Sequence, residues 1–72
     1  MKKDENVIRF GIQIAAMRRA LNISQEELAY RCGFHRTYIG MIERGERAIT
    51  ISNLFKLAQG LNTSVTKLFE YE

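Results

Sequence analysis

The sequence predicts an all-α domain built from five short helices. Apolar residues recur at spacings of three and four from Phe10 onward, capping residues and glycines stand between the periodic segments, and no segment alternates as a strand would. With 72 residues the chain forms one domain over 1–72, and its single cysteine excludes an internal disulfide. No Cys/His cluster offers a metal site, and no cofactor is expected. A core of this size supplies roughly 3 to 5 kcal/mol, so oligomerisation is the remaining staple.

The charged start, Met1 to Asn6, reads as a frayed tail. Phe10, Ile14, Met17 and Leu21 then mark one face of a first helix, with Arg9, Gln13, Arg18 and Arg19 opposite, and Asn22 ends it by tolerating the left-handed conformation. Ser24 to Glu27 forms a capping box: the Ser24 hydroxyl accepts from the Glu27 amide, and the Glu27 carboxylate returns to the Ser24 amide. Leu28 and Ala29 give the second helix its apolar stripe, and Gly33 turns the chain sharply. A third helix runs from Arg36 to Arg44 and stops at Gly45. Thr50 or Ser52 caps a fourth, carrying Leu54, Leu57, Ala58 and Leu61. Asn62 to Ser64 restart a fifth with Val65, Leu68 and Phe69.

Eleven Lys+Arg against eight Asp+Glu give +3, an excess that permits a polyanionic partner without demanding one. Charges within the first twenty residues leave no apolar leader, and no window is long and apolar enough for a membrane span. A cytoplasmic, nucleoid-associated protein is expected.

Function is written in Gln25 to Arg44. Two helices crossing steeply over a short turn need a small residue at their closest approach, here Ala29, a turn glycine, here Gly33, and apolar residues inside the second helix, here Ile39 and Ile42. At about 100° per residue, Arg36, Thr37, Gly40, Met41 and Arg44 share one arc of the third helix, while Tyr38, Ile39 and Ile42 fall on the other. The outward arc suits a major groove. Arginine can fork onto guanine O6 and N7, the threonine methyl can meet a thymine methyl, and Gly40 removes a side chain that would hold the helix off the bases.

With Gln25, Ala29, Gly33, Ile39, Ile42-Glu43-Arg44-Gly45 and the Leu54, Leu57-Ala58, Leu61, Leu68-Phe69 pattern in place, the chain resembles the Cro/repressor-type (xenobiotic-response-element-like) helix-turn-helix family over about Phe10 to Phe69. Within that lambda-repressor-like group it looks closest to the controller proteins of restriction-modification systems, through Arg36-Thr37-Tyr38-Ile39 and Glu43-Arg44-Gly45-Glu46-Arg47. The resemblance implies that Arg36 and Thr37 face bases, that Tyr38 lies beside the sugar-phosphate backbone, that Arg47 touches DNA from the following loop, and that Gln25 anchors a phosphate. It implies that Arg18 and Glu43 bridge the first helix to the end of the third. It also implies dimers made through the fourth and fifth helices, bound to tandem operator sites that govern the controller's own gene and the endonuclease gene, with two dimers together. His35 departs from the family's usual Ser or Asp cap, so the start of the third helix is expected to fray or to be ordered by DNA.

Leu61, Val65, Leu68 and Phe69 exceed what so small a core can hide, and the subunit contact is expected among them. Glu26 is a candidate contact with RNA polymerase, by resemblance to activating repressors. Rival readings on the same scaffold are a phage-type repressor or the antitoxin of a toxin-antitoxin pair. From another class comes a protein-interaction module, which an acidic or apolar outward face would mark. Cys32 and His35 do not make an enzyme, because no third group orients the histidine and no oxyanion site accompanies them.

Overall fold

The computed structural model describes residues 4–71. Helices α1 (Glu5–Ala20), α2 (Gln25–Cys32), α3 (Arg36–Glu43) and α4 (Ile51–Gly60) are followed by a 3-10 turn, Thr66–Phe69. No strand occurs among the described residues.

Helix α1 begins earlier than expected. The Asp4 carboxylate accepts from the Asn6 amide at 2.8 Å, satisfying one orphan donor and placing negative charge at the positive end of the helix. Of the expected tail, residues 1–3 lie outside the described residues, whereas Asp4 caps and Glu5 and Asn6 are helical. Phe10 and Ile14 are buried, with Met17 half-buried beside them. Leu21, the last residue of the expected stripe, instead caps the helix and is exposed. A Cβ on Gly11 would strike the Ile42 carbonyl and stand 2.9 Å from that of Glu43, so the bare backbone of α1 is what lets α3 cross so closely.

Asn22 takes the left-handed conformation at φ 57°, as its side chain allows. The Ser24 hydroxyl accepts from the Glu27 amide at 3.0 Å, but the Glu27 carboxylate accepts from Arg31 Nε at 3.0 Å one turn on, so the box closes on one side only. Gly33 closes α2 at φ 77°, and the Phe34 amide reaches back to the Ala29 carbonyl at 2.8 Å. Thr50, not Ser52, caps α4, its Oγ1 accepting from the Asn53 amide at 3.2 Å.

The expected fifth α-helix is a four-residue 3-10 turn. The Ser64 and Thr66 hydroxyls bond each other at 3.0 Å, and no side chain caps the segment. So short a segment does not meet the nucleation cost of an α-helix. Its Leu68 is fully buried and Leu61 is 4% exposed, both in the core with Leu28, Ile39, Ile42 and Leu57. They therefore leave the expected subunit contact: the C-terminal turn folds back over the core and hides them within one protomer. Val65 packs half-buried against the same core, and Phe69, 48% exposed, lays its ring 5.2 Å from that of Phe10.

Candidate nucleic-acid interface

Helices α2 and α3, with the Gly33 turn between them, are held by one carboxylate. Arg18 of α1 donates through Nε to Glu43 Oε2 at 2.7 Å and through Nη2 to Oε1 at 3.2 Å. Gln25 Nε2 donates to the same Oε1 at 2.8 Å, and Arg18 Nη1 donates to the Ile23 carbonyl at 2.8 Å. The implied Arg18–Glu43 bridge is present, and it reaches into α2 as well. The Gln25 side chain, read as a phosphate anchor, is thus engaged with Glu43.

Helix α3 begins at Arg36 with a side-chain cap. His35 Nδ1 accepts from the Thr37 amide at 3.1 Å, so the imidazole does the work of the family's usual Ser or Asp. An unprotonated Nδ1 has the lone pair this requires. Arg36 and Thr37 stand exposed on the first turn, Met41 is half-buried, and Ile39 and Ile42 fill the core as their positions on the wheel demand.

Gly40 is not the open backbone expected of it. It is buried, because the Arg44 guanidinium one turn later lies across it: a Cβ on Gly40 would stand 2.9 Å from Nη1 and 3.6 Å from Cζ. Arg44 caps α3 and pairs through Nε with Glu46 Oε2 at 3.0 Å. A hydrogen bond from Arg44 to Glu46 and the Glu46 charge raise the arginine's pKa further, so it stays cationic.

Beside this face stands Tyr38, half-buried as its boundary position predicts. Its ring meets Phe34 edge-on at 4.9 Å, its hydroxyl accepts from Asn53 Nδ2 at 3.0 Å, and the Arg47 guanidinium lies over its face at 5.9 Å. Asn53, in the first turn of α4, was not singled out from sequence. The available signal was Tyr38 itself, whose half-buried hydroxyl needs a partner.

Glu26 is exposed beside the shallow crevice between α2 and the start of α3 that Tyr30, Phe34, His35 and Arg36 also line. Cys32 is buried with its sulfur against Gly60, and burial raises its thiol to about 11 while a hydrogen bond with the Gly60 backbone opposes the rise. So protonated a thiol is a poor nucleophile. The surface around α3 therefore offers three guanidiniums, from Arg36, Arg44 and Arg47, and the Thr37 hydroxyl with its methyl. Such donors can read guanine edges or clamp phosphates.

A helix-turn-helix family model matches residues 14–68. The control protein C.SmaI of Serratia marcescens is 54% identical over 55 residues, which are 76% of this chain and 66%, just under two thirds, of that one. The restriction-modification controller protein C.AhdI of Aeromonas hydrophila superposes with a TM-score of 0.90 at 36% identity, over 92% of this chain and 100% of that one. The controller protein C.Esp1396I, solved as a tetramer in complex with its natural 35 base-pair operator, superposes with a TM-score of 0.87 at 34% identity, over 94% of this chain and 90% of that one. No described helix is long and apolar enough to cross a membrane.

Proposed function

The chain belongs to the helix-turn-helix family, among the restriction-modification controller proteins, and on that premise we propose that it is a non-enzymatic transcription regulator of its own and an endonuclease gene that binds operator DNA as a dimer. The observation that carries this reading is the exposed first turn of α3. There Arg36 and Thr37, ordered by the His35 cap, stand over a buried Ile39 and Ile42 that fix the helix's orientation.

Arg36 and Thr37 read base edges, with Met41 below them on the same face. Arg44, Arg47 and Tyr38 lie along the backbone, Asn53 holding the tyrosine hydroxyl in place. Gly40 contributes by seating Arg44 rather than by open contact. Gln25 acts on phosphate with its amide direction set by Glu43. Glu26, exposed on the rim of the crevice that Arg36 also lines, contacts RNA polymerase; Glu26→Lys should keep its preference for operator over scrambled DNA and lose activation in a purified transcription system.

One protomer measures 30 × 24 × 23 Å, too small to reach two successive major grooves about 34 to 36 Å apart. Two or three base contacts worth about 1 to 3 kcal/mol each also leave one protomer short of genomic specificity. Dimerisation uses the outer face of α4, where Ile51 and Phe55 stand one turn apart at 74% and 63% exposed, together with the exposed parts of Val65 and Phe69. Two such dimers sit side by side on tandem sites in the cytoplasm, on the nucleoid.

Selection from a random DNA pool tests the reading, with the salt dependence of the winning duplex measured beside that of a scrambled one. A two-fold-related motif whose affinity falls steeply with salt is expected. Absence of enrichment, with equally weak binding of both duplexes, would replace the DNA reading by a protein-interaction module.

A further inference from the structure

On the α3 surface the Arg44 guanidinium pairs with a carboxylate, Glu46 Oε2 at 3.0 Å from Nε. A carboxylate on a surface meant for a polyanion opposes binding, so its placement asks for a role.

Glu46 is held in place by the backbone. Gly45 adopts φ 72°, reversing the chain so that residues 44 and 46 meet, and the Glu46 amide donates to the Met41 carbonyl at 2.9 Å. Gly45 also packs close to α1, where a Cβ on it would stand 2.8 Å from Ile8. On the other side, the guanidinium rests on the bare backbone of Gly40. Seat, cation and carboxylate thus form one preset unit at the end of α3. To a guanidinium, a phosphate presents the same forked oxygens as a carboxylate.

We propose that Glu46 is an internal stand-in for a DNA phosphate: its carboxylate holds the Arg44 guanidinium on Gly40 in the free protein, and a backbone phosphate displaces it on binding. The inference rests on the DNA-binding reading. Glu46 then restrains affinity for every DNA sequence alike, sharpening the share of binding that comes from base contacts at Arg36 and Thr37. It also keeps Arg44 ordered for the incoming phosphate.

The test measures fluorescence anisotropy of the full chain with its selected operator duplex and with a scrambled duplex, between about 50 and 200 mM salt. Wild type is compared with Glu46→Gln, Arg44→Ala, the double variant, and Glu70→Gln, which removes an exposed carboxylate paired with Lys67 instead of with Arg44. Glu46→Gln should tighten both duplexes about two- to five-fold, the range of an exposed ion pair, and leave the salt slope near that of the wild type, because Arg44 meets the same phosphate in both proteins. That gain should vanish in the Arg44→Ala background and be absent in Glu70→Gln. A gain that survives Arg44→Ala, or that Glu70→Gln matches, would reduce the effect to net charge and overturn the proposal, as would no gain at all. Failure of the wild-type protein to bind either duplex would instead remove the DNA-binding reading, and this inference with it.

Discussion

Arg18 and Glu43, twenty-five residues apart, meet through two hydrogen bonds with side chains only 11% and 5% exposed. Through Gln25 Nε2 and the Ile23 carbonyl the pair also fixes the start of α2. One carboxylate therefore sets the position of all three helices that carry the candidate interface. Removing it strands a nearly buried guanidinium. Glu43→Ala should destabilise the protein by about 3 kcal/mol, the low end for a broken buried pair because Arg18 keeps its bond to Ile23. Urea unfolding measures this, and a loss below about 1 kcal/mol would class the pair with ordinary surface bridges.

Two left-handed glycines should respond differently to the same methyl group. At Gly33, φ is 77° and no atom lies within 4 Å of an added Cβ, so Gly33→Ala meets only the conformational penalty, about 1 to 2 kcal/mol. At Gly45, φ is 72° and the Cβ would meet Ile8 at 2.8 Å, so Gly45→Ala adds a clash with α1 to that penalty. Thermal midpoints should fall in the order wild type, Gly33→Ala, Gly45→Ala. Equal midpoints for the two variants would mean that α1 yields freely.

Helices α2 to α4 and their order were legible because their boundary signals are chemical and local: Ser24 and Thr50 accept from their third amides, and Gly33 and Gly45 take positive φ. The inward placement of Ile39 and Ile42 followed from period alone. Long-range facts were not legible. Leu61 and Leu68 differ from Phe55 only in what the folded chain lays over them, and no spacing rule says that a 3-10 turn will close the core. Gly40 falls on the outward arc as a wheel places it, yet a wheel cannot foresee a guanidinium folding back from the next turn. Nor does local pattern join Gln25 to Glu43 or Asn53 to Tyr38, since each pair spans a turn whose angle only packing decides.

The Cys32 thiol supplies a pH test. Its pKa is raised to about 11 in the folded state from 9.0 for an ordinary thiol. The unfolded chain therefore loses its proton first. The stability this thiol contributes is whole below pH 9.0 and is lost as pH rises toward about 11. Between those limits the urea midpoint of the wild type should fall further than that of Cys32→Ala. Parallel profiles would show that the thiol ionises alike in both states.

Base reading and backbone contact should separate in binding. Arg36→Ala should lower affinity for the selected operator while leaving a scrambled duplex nearly unaffected, a discrimination loss of about 1 to 3 kcal/mol. Gln25→Ala should weaken both duplexes alike and, because it also deletes the bond to Glu43, lower stability by about 1 kcal/mol. Equal losses on matched and mismatched DNA for both variants would undo this division of roles.

The subunit contact can be located by one charge. Phe55 and Ile51 expose most of their surface on adjacent turns of α4, whereas Phe69 is half covered, with its ring 5.2 Å from that of Phe10. An aspartate at Phe55 places a carboxylate in the proposed apolar contact without entering the core, so the fold should survive and the dimer should not. An aspartate at Phe69 also removes the stack on Phe10, so it should lower the thermal midpoint whether or not it splits the dimer. Sedimentation velocity at micromolar protein should therefore give folded monomers for Phe55→Asp, with a wild-type thermal midpoint once concentration dependence is removed. Intact Phe55→Asp dimers would move the interface off α4. In that event the exposed apolar residues of the other helices, Ile12 first at 62%, become the surface to charge next.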